Sequence, residues 1–203
     1  MSDIKYNKEE LYNTPLITIY TESNPNPNSM KFMLNFVLIK NGESIDFPNA
    51  ESAANSVLAQ ELFGFNFVKR VFYMANFITV TKDESVEWIE VVPELKAHIK
   101  AYFEAKKPLF NEEQAETIVE TGHDSEIVAK IKGVLDEYIK PAVEMDGGAI
   151  QFDSFDPESG HLKVLLQGSC SGCPSSTITL KQGIQNLMQR MVPQVKEVMA
   201  EGV

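Results

Sequence analysis

Cysteine is the scarcest reactive residue in this chain, two in 203 residues. That number excludes a secreted disulfide framework and fits a reducing compartment. Long apolar runs are missing too: no stretch approaches the roughly 18 residues of a membrane span, so no membrane partner is expected. The first residues, Met1 to Tyr6, show neither an apolar signal core nor an Arg-rich transit pattern, and the expected location is cytoplasmic. Positive charge is short, with 18 Lys and Arg against 29 Asp and Glu, a net −11. Such a surface repels phosphate backbones, so nucleic acid is not an expected partner. No Ser/His/Asp set, paired-carboxylate site or phosphate-binding loop is present, so no catalytic residue is assigned and the expected protein is not an enzyme.

What is there begins with a hydrophobic content of 43%, ample for a folded core. Residues 126–203 hold 7 basic and 10 acidic residues, a balance of −3, which leaves −8 for the first 125. The expected class is α+β in two small domains. A polar arm over 1–15 leads into a first domain over 16–104, read as β-β-α-β-β-α. Its expected elements are strands at 16–21, 31–40, 67–73 and 77–81, a helix over 52–63, and a helix after Asp83 or Ser85 that Pro93 splits or kinks. Residues 105–123 read as an acidic connector with room for a short helix over 111–120. The second domain, 124–203, reads as α-β-β-α-β. A helix capped by Asp124 or Ser125 stops at Pro141, strands cover 149–155 and 161–167, a helix stops at Pro193, and a last strand covers 195–200.

Both cysteines fall between the second strand and second helix of that domain, in Gln-Gly-Ser-Cys-Ser-Gly-Cys-Pro-Ser-Ser-Thr from Gln167 to Thr177. Thiolates select zinc, Cu(I) and iron–sulfur clusters, and the spacing of Cys170 and Cys173 suits one metal unit or a small redox disulfide. Pro174 fits a first helical turn, so Cys173 sits at or before a helix N-terminus, where partial positive charge favours a thiolate. Tetrahedral zinc and the common clusters take four protein ligands. Two chains meeting at a two-fold axis would supply them. The other notable side chains read as structural. His161 reads as surface, and His98 and His123 lack a partner motif. Trp88, Phe65, Phe67, Phe72, Tyr73 and Phe77 read as core, Met188, Met191 and Met199 as core or dimer contact, and Lys69-Arg70 as a solvated strand end.

Two runs carry a resemblance. Tyr-Ile-Lys-Pro-Ala-Val-Glu-Met-Asp-Gly-Gly, Tyr138 to Gly148, and Leu166 to Thr177 with Thr179 to Ile184 behind it, resemble the NifU-like, Nfu-type C-terminal domain. Asn24 to Phe32, Leu62-Phe63-Gly64, Val68 to Tyr73 and Phe77 to Thr81 resemble the Nfu N-terminal domain. The resemblance implies a [4Fe–4S] cluster held between two subunits, with Cys170 and Cys173 of each as ligands, and its transfer to apo iron–sulfur clients after loading by an upstream donor. A [2Fe–2S] cluster takes the same four cysteines. Asp146, Gly147 and Gly148 map onto the family's Asp-Gly-Gly and read as structural; Ala149 stands where many relatives carry an acidic residue. The first domain is expected to contact clients or modulate delivery. Two other readings remain, a thiol–disulfide oxidoreductase and a dimer-bridging zinc protein. The first is disfavoured because its Cys-x-x-Cys pattern belongs to an early βαβ unit, whereas here it lies in the last 34 residues.

Overall fold

The computed structural model describes residues 13–40, 42–111, 125–171 and 174–202, with residues 174–178 described by their backbone. The chain forms two compact units, residues 1–118 and 119–203. The class is α+β, as expected.

In the first unit, β1 (Ile19–Ser23), β2 (Ser29–Leu34), β3 (Ser44–Phe47), β4 (Val68–Met74) and β5 (Phe77–Lys82) form an antiparallel sheet in the order β1-β2-β5-β4-β3. Register places Phe32, Ile78, Tyr73 and Ile45 side by side on the core face. Behind it sit α1 (Val57–Phe63) and α2 (Trp88–Glu104), through Leu58, Leu62, Leu95 and Ile99. Phe72 and Thr79, which leave the other face, are buried as well, so the paired centres of β4 and β5 are covered on both faces.

Five readings of this unit change. Strand β3 is additional: with only Ser-Ile-Asp-Phe, it is too short to show a period of two. Strand β2 stops at Leu34; Leu38 and Ile39 instead donate their N–H groups to the Ala75 carbonyl at 2.6 and 2.9 Å, closing over the β4–β5 turn. Helix α1 starts at Val57, not Ser52, because Ser56 caps it, accepting from the Ala59 N–H at 3.3 Å. Helix α2 runs unbroken through Pro93. Of Lys69 and Arg70 only Arg70 departs from a solvated end: it pairs with Asp46 at 2.9 Å with both side chains largely buried, whereas Lys69 is exposed and reaches Asp83 at 3.1 Å. The aromatic residues take their expected place: Phe72, Tyr73 and Phe77 are buried, and Phe65, Phe67 and Trp88 pack against the core.

In the second unit, α3 (Glu126–Val134) is capped by Ser125, whose Oγ accepts from the Val128 N–H at 3.3 Å. The helix does not stop at Pro141. It widens into a π turn over Leu135–Ile139 and continues as α4 (Lys140–Met145), with Pro141 in the first turn. A proline inside a regular helix loses one hydrogen bond and meets the carbonyl four residues back. The widened turn resets the register so that Pro141 stands where its missing N–H is no loss. Strands β6 (Gly148–Asp156) and β7 (His161–Gly168) form an antiparallel hairpin, and β8 (Glu197–Gly202) lies parallel to β7. A parallel neighbour requires a crossover, supplied here by α5 (Pro174–Met191). Ile131, Leu135, Val143, Leu162, Val164, Ile184 and Met188 build the core between helices and sheet. The expected connector helix over 111–120 lies outside the described residues, except for Asn111.

Candidate functional site

The loop between β7 and α5 is built against the turn between α4 and β6. Gly148 opens β6 directly opposite Gly168, the last residue of β7. The chain enters this point through Gly147, at φ 79°, and leaves through Gly168, at φ 62°. Both values lie in the left-handed region that glycine enters at no steric cost. A Cβ on Gly148 would stand 2.5 Å from the Gln167 carbonyl oxygen and 2.8 Å from Cys170 Sγ. The sulfur of Cys170 therefore occupies space that a side chain at 148 would take. Ser169 ties the two segments together: its N–H donates to the Gly147 carbonyl at 3.3 Å, and its hydroxyl donates to the Asp146 carbonyl. The Ser171 N–H closes the loop onto the Gly168 carbonyl at 3.2 Å.

Cys170 is 5% exposed and belongs to the core of the second unit. Cys173 lies outside the described residues, directly before the start of α5 at Pro174. Among the described residues no group of three or more His, Cys, Asp or Glu could hold a metal ion. A soft thiol held rigidly at the end of a strand fits an iron–sulfur or zinc donor. Close by, burial raises the Glu144 carboxyl above its ordinary range and Lys140 pulls it partly back.

The remaining singled-out residues stay apart from this loop. His161 lies 3.7 Å from Glu197. In the first unit, His98 Nε2 lies 3.0 Å from Glu61, though not aligned as a hydrogen bond, and its ring meets Phe65 edge-on. His123 lies outside the described residues. Met188 is buried in the core, and Met191 packs against it. Sequence reasoning gave Asp146-Gly147-Gly148 a structural part but missed Ser169 as the tie and Gly148 as the seat of the sulfur. The available signal was the pair of glycines at equivalent ends of two adjacent strands.

Fold and loop together define a two-unit α+β protein with a buried thiol, Cys170, on the connection from a strand to a helix. Two family models match the chain: Scaffold protein Nfu/NifU N terminal over residues 19–106, and NifU-like domain over residues 131–199. It is 44% identical over 186 residues to NifU-like protein 4, mitochondrial, of Arabidopsis thaliana, covering 90% of this chain and 65% of that protein. NifU-like protein 5, mitochondrial, of the same plant is 43% identical, with 67% of its length covered. The NFU1 iron-sulfur cluster scaffold homolog, mitochondrial, of Drosophila sechellia is 42% identical over 181 residues, 89% of this chain and 63% of that one. The chain belongs to the Nfu/NifU family, and it spans about two thirds of the length of these relatives.

The expected cytoplasmic location is overturned by these findings. The relatives are named as mitochondrial proteins, not cytoplasmic ones. The cytoplasmic reading rested on the composition of a few terminal residues, and cellular address is not a property of fold. Among the described residues no helix is long and apolar enough to cross a membrane.

Proposed function

We propose that this protein is an iron–sulfur cluster carrier, a binding protein and not an enzyme. It takes up a [4Fe–4S] cluster between two copies of the chain and passes it to apo client proteins after receiving it from an upstream donor. Cys170 and Cys173 of each copy are the proposed ligands, completing the four that such a cluster takes. The relatives' names as scaffold proteins support the role. The observation that carries it is the seating of Cys170 against Gly148 at the end of β7. That seat holds a soft donor at fixed depth on a rigid hairpin, with little water around the sulfur. Ligand orientation and solvent access are the levers by which a protein tunes a cluster. A group shared by two chains is also removable, because separating the chains opens half of its ligation. The first unit is assigned contact with clients, with the acidic connector setting its reach.

The test is anaerobic reconstitution of the wild type, Cys170→Ser and Cys173→Ser with iron and sulfide. The wild type retains about two irons and two sulfides per chain, the share expected of a cluster of four held by two chains, and either variant loses most of both. Full retention by both variants overturns the assignment. Zinc retention in place of iron, or a reversible Cys170–Cys173 disulfide with no metal bound, favours the zinc or redox reading.

A further inference from the structure

The Ser169 side chain bridges the cysteine loop and the Asp-Gly-Gly turn. It is 2% exposed. Its hydroxyl donates to the main-chain carbonyl of Asp146, and its Oγ lies 3.9 Å from Cys170 Sγ. Its N–H reaches back to Gly147 at 3.3 Å. Two bonds from one residue thus pin the loop across the mouth of the β6–β7 hairpin, immediately before the proposed ligand. Closing the same mouth without Ser169 would leave the part-buried Asp146 carbonyl to find another donor.

We infer that Ser169 is a positioning residue for Cys170: it clamps the loop onto the Asp146–Gly148 turn and fixes the direction of the sulfur before any cluster arrives. The inference rests on the reading of Cys170 as a cluster ligand, but the clamp belongs to the metal-free chain and can be measured there. Pre-organisation of this kind spares a binding group the ordering of its own loop. Because the hydroxyl uses the carbonyl of residue 146 and not its carboxylate, identity of the side chain at 146 is immaterial to the clamp.

The experiment compares the full-length wild type with Ser169→Ala and Asp146→Asn. In the metal-free proteins, amide hydrogen exchange is followed at residues 169–171. The clamp predicts exchange at least about tenfold faster in Ser169→Ala, with Asp146→Asn like the wild type and the exchange of β6, β7 and α5 unchanged. After reconstitution with iron and sulfide, Ser169→Ala shows an altered visible circular dichroism spectrum. It also loses iron to a chelator about tenfold faster, in line with changes around metal ligands. Unchanged loop exchange in Ser169→Ala overturns the inference. So does faster exchange spread evenly over the whole unit with a lowered thermal midpoint, which marks a general packing role. If the wild type takes up no cluster, the carrier reading fails by itself, and loop exchange in the metal-free chain still decides the clamp.

Discussion

Gly148 shows how one residue can set the depth of a functional group. The space its Cβ would fill is occupied by the Gln167 carbonyl at 2.5 Å and Cys170 Sγ at 2.8 Å. The carbonyl belongs to a paired strand and cannot retreat as a flexible side chain would. Gly148→Ala is therefore expected to open the hairpin mouth and push the sulfur out of its seat. The expected cost is about 1–3 kcal/mol of stability, as for other overpacked sites, together with reduced iron retention. Urea unfolding and iron analysis of the same sample check both. An unchanged midpoint with full iron retention contradicts the seating. At this scale the sequence was partly legible. A Cys-x-x-Cys with Gly168 before it and Gly172 within it announced soft-ligand chemistry. The contact between residues 148 and 170 is separated by 22 positions and needs the register of two strands to be seen. Ser169, a small polar residue among several, carried no signal of its own. The Arg70–Asp46 pair was equally hidden, since strand neighbours are fixed only when β3 is known to lie beside β4.

Elements in the second unit followed their patterns where period and caps agreed. Helix α5 starts at Pro174 as expected, and β7 differs from its expected span by one residue. The π turn is where local reading failed: Pro141 carries the stop signal of a regular helix, and only the core contacts of Leu135, Ile139 and Val143 on both sides of it justify a widened turn. The short β3 and the late start of α1 failed for the related reason that their partners are remote. Ser56, for example, bonds Tyr73 at 3.2 Å and the Leu109 carbonyl at 3.2 Å. The β6–β7 hairpin offers a test of its own. Its loop is held by Asp156, which accepts from the Ser159 hydroxyl at 2.5 Å and from the Glu158 N–H at 3.0 Å. Those bonds, the side-chain one foremost, lower the Asp156 carboxyl below its ordinary value of 3.8. A depressed folded-state value means stability present above the unfolded value and lost as pH falls through the folded one. Asp156→Asn should therefore be less stable than the wild type near neutral pH, with the gap closing as pH falls below about 4. Urea midpoints at several pH values check this. A gap that stays constant on acidification contradicts it.

The whole molecule divides into two compact units joined by an acidic stretch, and the two family models fall one on each unit. Composition and element order gave the α+β class; location could not be read from them, because an address is not written in packing. If the second unit alone holds the cluster, deleting residues 1–105 leaves uptake intact and slows transfer to clients. Comparing uptake by the truncated and full chains, followed by the rate at which an apo client gains activity, checks this. A truncated protein that takes up no cluster shows that the units do not divide the work in this way.

The central claim is a cluster bridged between two chains by Cys170 and Cys173. The most direct measurement is Mössbauer spectroscopy of the reconstituted protein together with its mass in solution. The account predicts a [4Fe–4S] spectrum from a species of two chains, reverting toward single chains as a chelator strips the iron. Iron bound by single chains, or a two-chain species whose iron is indifferent to replacing both cysteines, would contradict it.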